Sequence, residues 1–254
     1  MLHRIFYIFG GNWSKFKSSL FGWGWFFKDF LKILKQNNKL ETRWRVKIFP
    51  ILHDKNEEGG VAKGQYFYQD IYVAKKIYEK NPPNHLDIAS RIDGFVAHVS
   101  IFRTIDVMDI RPLTTQISNI NFVQSDFMKS QSNVQYDSIS CLHAIEHFGL
   151  GRYGDSLDIE GHVKAFENLK KKLKSGGILY FSTQIGDQRI EFNAGRFFDL
   201  KYLFVMFLDD FDLMEFSYID DNGDFWENTK LIDDKIESNY GCVSGCGIFI
   251  LRKK

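Results

Sequence analysis

From residue 85 onward, short apolar runs alternate with stretches of helical spacing, and this alternation limits the fold more than any single residue does. The runs are "HLDIA", "TIDVMDI", "INFVQSD", "YDSISCLHAI", "GILYFSTQIG", "FDLMEFSYID" and "GCGIFILRK". Between them, "GFVAHVSIF" suits a helix, and "DIEGHVKAFENLKKKLKSGG" is an amphipathic helix closed by glycines. Ahead of them, "GQYFYQDIYVAKKIYEKNPPN" reads as an aromatic-lined helix broken by Pro82 and Pro83. Strands separated by helices predict an α/β fold, a parallel sheet with helices on both faces.

The chain has 254 residues and is 44% hydrophobic, enough for one such domain with an appendage. Three cysteines, Cys141, Cys242 and Cys246, suit a reducing cytoplasm better than a disulfide scaffold. No second ligand pair accompanies Cys242 and Cys246, so they do not read as a zinc site. The formal net charge is only +1, but it is unevenly spread. Residues 1–50 hold ten Lys or Arg against Asp29 and Glu41, a local +8, which leaves −7 for the rest. That acidic remainder argues against a nucleic-acid partner.

Residues 1–60 read as a separate basic, aromatic segment, and residues 61–254 as the main domain. The first thirty residues hold eleven aromatics. In "GWGWFFKDFLKIL", Trp23, Phe26, Phe27, Phe30, Ile33 and Leu34 recur at helical spacing, with Lys28, Lys32 and Lys35 off that stripe. Three readings stay open: a helix packed on the main domain, a peripheral contact of residues 1–50 with anionic lipid, or a partner-docking face. The start, "MLHRIFYIFGGNW", lacks a clear small-residue cleavage site, and "NEEGG" reads as a loop. The expected location is the cytoplasm, with the inner membrane face as the peripheral variant.

The segment "SCLHAIEHFGLGRYGD" contains His143, Glu146 and His147 in the order H-x-x-E-H. That spacing binds zinc only when both histidines share one helix face. Here strand-like "YDSISCL" precedes His143, and three glycines follow in "FGLGRYG", which oppose a helix. His143 is therefore expected at a strand's carboxyl end, with no metal. Three other strand ends carry Asp87, Asp109 and Asp126. Ligands of open α/β sheets bind outside such ends. Carboxylates in a row there suit a ribose diol, an exocyclic amine and a cationic amino-acid end.

This order resembles a class I S-adenosylmethionine-dependent methyltransferase over residues 66–254. More narrowly, "HLDIASRIDGFVAHVS", "DIRPL", "SCLHAIEHFGLGRYGD" and "FNAGRFF" resemble a bacterial methyltransferase-like family catalogued as a domain of unknown function. The resemblance implies a Rossmann-like sheet and S-adenosylmethionine as cofactor. It implies a first cofactor loop over Asp87, Ala89, Ser90, Arg91 and Gly94. Asp109 with Ile110 would meet the ribose, Asp126 with Phe127 the adenine, and Leu142 and His143 the methionine end. "LKSGG" would be the turn before the fifth strand. The class usually carries D-x-G-x-G-x-G in the first loop, whereas "DIASRIDG" places Ala89, Arg91 and Asp93 at those glycines. Either the loop takes another path, the cofactor sits differently, or binding is lost.

Methyl transfer needs positioning and, for a protic acceptor, a base. His147 and His143 are the candidate bases, and Glu146 could orient one of them. Arg152 and Tyr153, set between glycines, suit an anionic group on the acceptor, with Asp155 holding the arginine or a helix start. Asn193 and Arg196 of "FNAGRFF" could close over the acceptor or lie on a helix surface. Tyr66 and Tyr68, with Gln69 and Asp70, could cover the cofactor. The expected activity is methylation of a small or carbohydrate-linked hydroxyl, amine or phosphate-type acceptor. The family association points to capsule or lipooligosaccharide biosynthesis. The alternatives are a non-catalytic binding or scaffolding module and, third, a zinc hydrolase.

Overall fold

The computed structural model describes residues 12–56, 59–60, 62–130 and 134–254. The chain divides into two units, Met1–Val61 and Ala62–Lys254. The signal-peptide expectation for the first residues, and Glu57 and Glu58 of the "NEEGG" loop, lie outside the described residues.

In the first unit a helix, α1 (Trp13–Asn37), starts where the Asn12 side chain accepts from the Lys15 amide. It runs well beyond the "GWGWFFKDFLKIL" stretch that the spacing marks. The chain then folds back along it. Asn37 clasps the Trp44 backbone through both side-chain atoms, and Lys55 pairs with Asp29 at 2.9 Å while lying over the Trp25 ring. Gly22 permits the approach, since a Cβ there would stand 2.6 Å from that of Leu52. Among the described residues no helix is long and apolar enough to cross a membrane.

The second unit begins with α2 (Gln65–Lys80), which ends at Asn81 in the left-handed conformation before the two prolines. β1 (His85–Ile88) leads through a turn into the short α3 (Ala97–Ser100), followed by β2 (Ile105–Asp109), β3 (Ile120–Gln124) and β4 (Tyr136–Leu142). Then come α4 (Gly161–Lys172), β5 (Leu173–Ile185), a hairpin of β6 (Arg189–Glu191) and β7 (Gly195–Phe197), and α5 (Leu200–Leu208). β8 (Phe211–Ile219), β9 (Phe225–Trp226), α6 (Asp233–Glu237) and β10 (Gly245–Lys253) complete the described chain. Eight strands form one sheet in the order β3-β2-β1-β4-β5-β10-β8-β9.

The α/β fold with a Rossmann-like sheet is as the sequence reads, with two corrections. The sheet is mixed: β1 to β5 pair in parallel, but β10 runs antiparallel to both β5 and β8. An apolar run reads the same in either direction, so local sequence carries no sign of the reversal. The helix expected to close at "LKSGG" ends at Lys172, and those residues belong to β5. They form a bulge, with Tyr136 opposite Leu173 but Ser138 opposite Ile178, and Gly176 supplies the positive φ of 73°.

Side chains alternate across the sheet as a pleat requires. On β5, Leu179, Phe181 and Ile185 join Phe166 and Leu169 of α4 and Leu203 and Phe207 of α5. Tyr180 points the other way, into the cluster holding Val73 and Ile77 of α2 and Val99 of α3. Both faces are thus covered, and the carboxyl ends of β1, β2 and β4 are left as the place for a site.

Candidate active site

β1 is fastened to β4 by buried polar groups. His85 Nδ1 lies 2.7 Å from Ser138 Oγ and Nε2 3.1 Å from Ser140 Oγ, and Ser140 Oγ donates to Asp87 at 2.6 Å. Ser140 spends its proton on Asp87, so it accepts from His85 Nε2–H, and Nδ1 accepts from Ser138. Burial pushes His85 down to about 3, so the ring is neutral, and pushes Asp87 up to about 6 against the hydrogen bonds from Ser140 and Ser90. Ser90 donates to Asp87 from both its amide and its hydroxyl. Asp87 therefore shapes the first loop from beneath.

That loop solves its missing glycines locally. Ala89 adopts a φ of 60°, the conformation that glycine takes without strain. Arg91 and Asp93 pair with each other, Nε to Oδ1 at 3.0 Å and Nη2 to Oδ2 at 2.8 Å. Gly94 is required for another reason: a Cβ there would lie 2.6 Å from Asp70 Oδ2 of α2.

A cavity of about 500 Å³ opens above the ends of β1, β2 and β4. It stands where the strand order turns from β1 outward to β2 on one side and β4 on the other, the switch point at which such sheets bind ligands. Of the residues singled out in the sequence, Ala89, Ser90, Arg91, Asp109, Ile110, Asp126, Phe127, Leu142, His143, His147, Arg152, Tyr153, Asp155 and Tyr66 line it. The sequence reading missed Arg111 on this wall.

Arg111 changes the β2 end. Asp109 Oδ1 accepts from the Arg111 amide at 2.8 Å and from Nε at 3.0 Å, and Oδ2 accepts from Nε at 3.0 Å and from Nη2. Three N–H groups thus converge on the carboxylate, the single Nε–H being shared between its two oxygens. Nη2 also reaches the Ala89 carbonyl at 3.2 Å, tying the first loop to β2. The guanidinium lies 4.7 Å from the Tyr153 ring centre, and Arg152 lies 5.3 Å from it on its own account. Asp126 accepts from the Met128 amide and pairs with Lys129 at 3.2 Å.

The β4 end is different. His143 follows the last residue of the strand at φ 48°, and Ile145–His147 form one 3-10 turn. The H-x-x-E-H letters therefore do not lie on one helix face, and among the described residues no group of three or more His, Cys, Asp or Glu side chains is placed to hold a metal ion. His143 Nδ1 donates to Glu146 Oε1 at 2.8 Å, and Thr183 donates to Glu146 Oε2 at 3.2 Å. Burial opposes the charge on His143, but the Cys246 sulfur and Glu146 outweigh it and hold the imidazole well above 6.5. Burial likewise opposes the charge on Glu146, and His143 reverses that, keeping it ionised. His147 is the opposite case: burial lowers it, Glu146 resists and Arg152 assists, so the ring is neutral at pH 7. Its ring stands perpendicular to that of Tyr153 with centres 5.6 Å apart, and its Nδ1 and Cε1 face Gly195, where a Cβ would crowd them at 3.3 Å. His143 Nε2 and His147 Nδ1 are buried with no nitrogen or oxygen partner, and the Cys246 sulfur is the neighbour that acts on His143.

Eight expected site residues lie off the cavity wall, Gln69 and Asp70 among them: both are buried, with Gln69 donating to Asp70 at 3.0 Å and accepting from Ser182. Asp87 is beneath the loop and Gly94 beside Asp70, as described. Glu146 is buried behind His143. Tyr68 stacks on Phe225 with ring centres 5.6 Å apart, because two helical steps turn it to the face opposite Tyr66. Arg196 is buried and donates to the carbonyls of Glu146, Phe148, Asp158 and Ile159, so it clamps the 146–159 loop and is not free to meet an acceptor. Asn193 lies in the turn between β6 and β7, which is a hairpin and not a helix surface. Asp155, though on the wall, accepts from the amides of Gly149, Gly151 and Tyr153, so it shapes the loop and does not hold Arg152. Arg152 instead donates to the Ala194 carbonyl.

In solved structures, the fold is similar to that of several S-adenosylmethionine-dependent methyltransferases. The chain is similar to the N-methyltransferase NodS from Bradyrhizobium japonicum WM9 in complex with S-adenosyl-L-homocysteine, at 14% identity and a TM-score of 0.50, covering 87% of this chain and 97% of that one. It is similar to an S-adenosylmethionine-dependent methyltransferase from Clostridium acetobutylicum ATCC 824, at 13% identity and 0.50, covering 75% and 93%. A third is the 1,6-didemethyltoxoflavin-N1-methyltransferase of Burkholderia thailandensis, at 10% and 0.50, covering 73% and 78%. These identities speak for the fold alone. No curated protein matches the chain in sequence. A family model does match, over residues 96–246, which is more than half of the chain and spans the segment from α3 to the start of β10; the chain belongs to the family described as Caenorhabditis protein of unknown function, DUF268.

Proposed function

We propose that the second unit is an S-adenosylmethionine-dependent methyltransferase acting on a small or carbohydrate-linked acceptor. The observation that carries this reading is the cavity at the sheet's switch point, with Asp109 and Asp126 on one side and His143 and His147 on the other. Its size is within the range of small-molecule sites. The lining fits the cofactor: carboxylates to accept from a ribose diol and an exocyclic amine, and Phe127 and Leu142 as apolar walls. The solved relatives with S-adenosylhomocysteine bound support the same cofactor.

The fit has one condition. A diol reaches Asp109 only when Arg111 releases part of its carboxylate. Arg111 already leans on Tyr153 beside Arg152, so its release leaves two guanidinium groups at one ring. An acceptor bearing a phosphate or carboxylate suits that pair. Bound there, S-adenosylmethionine supplies an electrophilic methyl group. The protein's own part is orientation and proton removal. His147, neutral and on the cavity wall, takes the acceptor's proton. His143 is charged and committed to Glu146, so it orients and does not act as the base. The cytoplasm and surface-polysaccharide assembly are the setting that the family resemblance favours.

The test is conversion of S-adenosylmethionine to S-adenosylhomocysteine in the presence of phosphorylated sugars, sugar nucleotides and amino sugars. Turnover that depends on one acceptor class supports the reading. Binding of S-adenosylhomocysteine with no turnover on any of them points to the non-catalytic binding module.

A further inference from the structure

We infer that the first unit docks on an anionic lipid bilayer, with the exposed face of α1 as the inserted surface. On α1, Leu20, Trp23, Phe27 and Leu31 are 58, 43, 50 and 64% exposed. At 3.6 residues per turn they fall within an arc of about 80°, a continuous apolar stripe. The stripe differs from the one read in the sequence: Phe26, Phe30 and Leu34 are half-buried, and of these Phe26 lies nearest the side of buried Gly22 and Leu52. Trp23 and Phe27 stack at 5.5 Å and present one broad aromatic surface. Lys28, Lys32 and Lys35 run along one flank, all exposed.

The returning chain adds to the same chemistry. Leu40, Trp44, Ile48, Phe49 and Ile51 are exposed and alternate with Arg43, Arg45 and Lys47. Large exposed apolar patches of this kind mark interaction surfaces. Tryptophan, phenylalanine and leucine on one face with lysine beside them is the composition that sits at the headgroup boundary. The charge selects the partner. The first unit, Met1–Val61, carries +6 while the second carries −5, so an anionic leaflet attracts the one and repels the other. A nucleic acid would meet the same charge but has no use for a stripe of leucine and aromatic side chains.

Co-sedimentation of the full chain with vesicles tests this independently of methyl transfer. Phosphatidylglycerol vesicles should bind it and phosphatidylcholine vesicles should bind it at least about tenfold more weakly, since each lysine near an anionic surface is worth roughly fivefold. Replacing Lys28, Lys32 and Lys35 with Glu should remove that preference. Leu20→Asp with Phe27→Asp should weaken binding to both vesicle types. These side chains are exposed, so the fold should persist, and circular dichroism checks it. Equal binding to both lipids, or none to either, would overturn the proposal. So would a dimer in lipid-free buffer that Phe27→Asp disperses, or a random single-stranded DNA that displaces the protein from vesicles.

Discussion

The two halves of the cavity are built on opposite rules. At the ends of β1 to β3 every carboxylate is already engaged: Asp87 by Ser90 and Ser140, Asp109 by Arg111, Asp126 by the Met128 amide and Lys129. At the end of β4 two buried imidazole nitrogens have no nitrogen or oxygen partner. The first half is a closed frame that a ligand must open. The second is open and costly to leave so, because a buried polar atom without a partner loses its hydration and gains nothing. Both histidines line the cavity, so the acid–base chemistry is expected on this side.

The sharpest way to break this contrast is at His147. His147→Ala should lower turnover by about 10²–10⁴-fold while S-adenosylhomocysteine affinity stays nearly constant, the signature of a lost base. Equal loss of binding would move His147 into the cofactor half. Next in size, Glu146→Ala strands a charged His143 in the interior and should cost about 3–5 kcal/mol in urea unfolding. Arg111→Lys keeps the charge but loses the two-pronged grip. It should tighten S-adenosylhomocysteine binding by about tenfold if the cap must be displaced, and unchanged affinity would show that it need not be.

The two histidines should also leave opposite marks on stability against pH. His143 is held well above 6.5, so its stabilisation is complete below about pH 6.5 and fades as the pH rises through its folded value. Glu146 is held below 4.5, so its share is present above about pH 4.5 and is lost as the pH falls through its folded value. His147 is held below 6.5, so the fold loses stability as the pH drops beneath about 6.5 and the unfolded chain takes up the proton first. Unfolding midpoints between about pH 5 and pH 9 should therefore flatten on the alkaline side in His143→Gln and on the acid side in His147→Gln. The smallest effect is in the frame: Ala89→Gly relieves a left-handed alanine but adds freedom to the unfolded chain, a net gain of no more than about 1 kcal/mol.

Much of this was legible in the sequence because it is local. The apolar runs marked β1 to β5, β8 and β10, and the three glycines after His147 told against a metal-binding helix. What escaped depends on partners far along the chain or on side-chain reach. "FNAGRFF" alone does not say that Arg196 finds four carbonyls in the 146–159 loop, so a buried clamp looked like a surface arginine. Arg111 stands two residues from Asp109 but beyond the end of β2, and only the turn that follows the strand bends its side chain back onto the carboxylate. Gly94 reads as a cofactor glycine by position, yet the side chain it makes room for is Asp70 from α2.

The account rests on Asp109 meeting a nucleoside once Arg111 yields. Calorimetric titration of S-adenosylhomocysteine into the wild-type chain and into Asp109→Ala tests that most directly. Micromolar binding by the wild type and its loss in the variant is the result expected. Absence of heat with the wild type and with Arg111→Lys alike, or equal binding by Asp109→Ala, would contradict it.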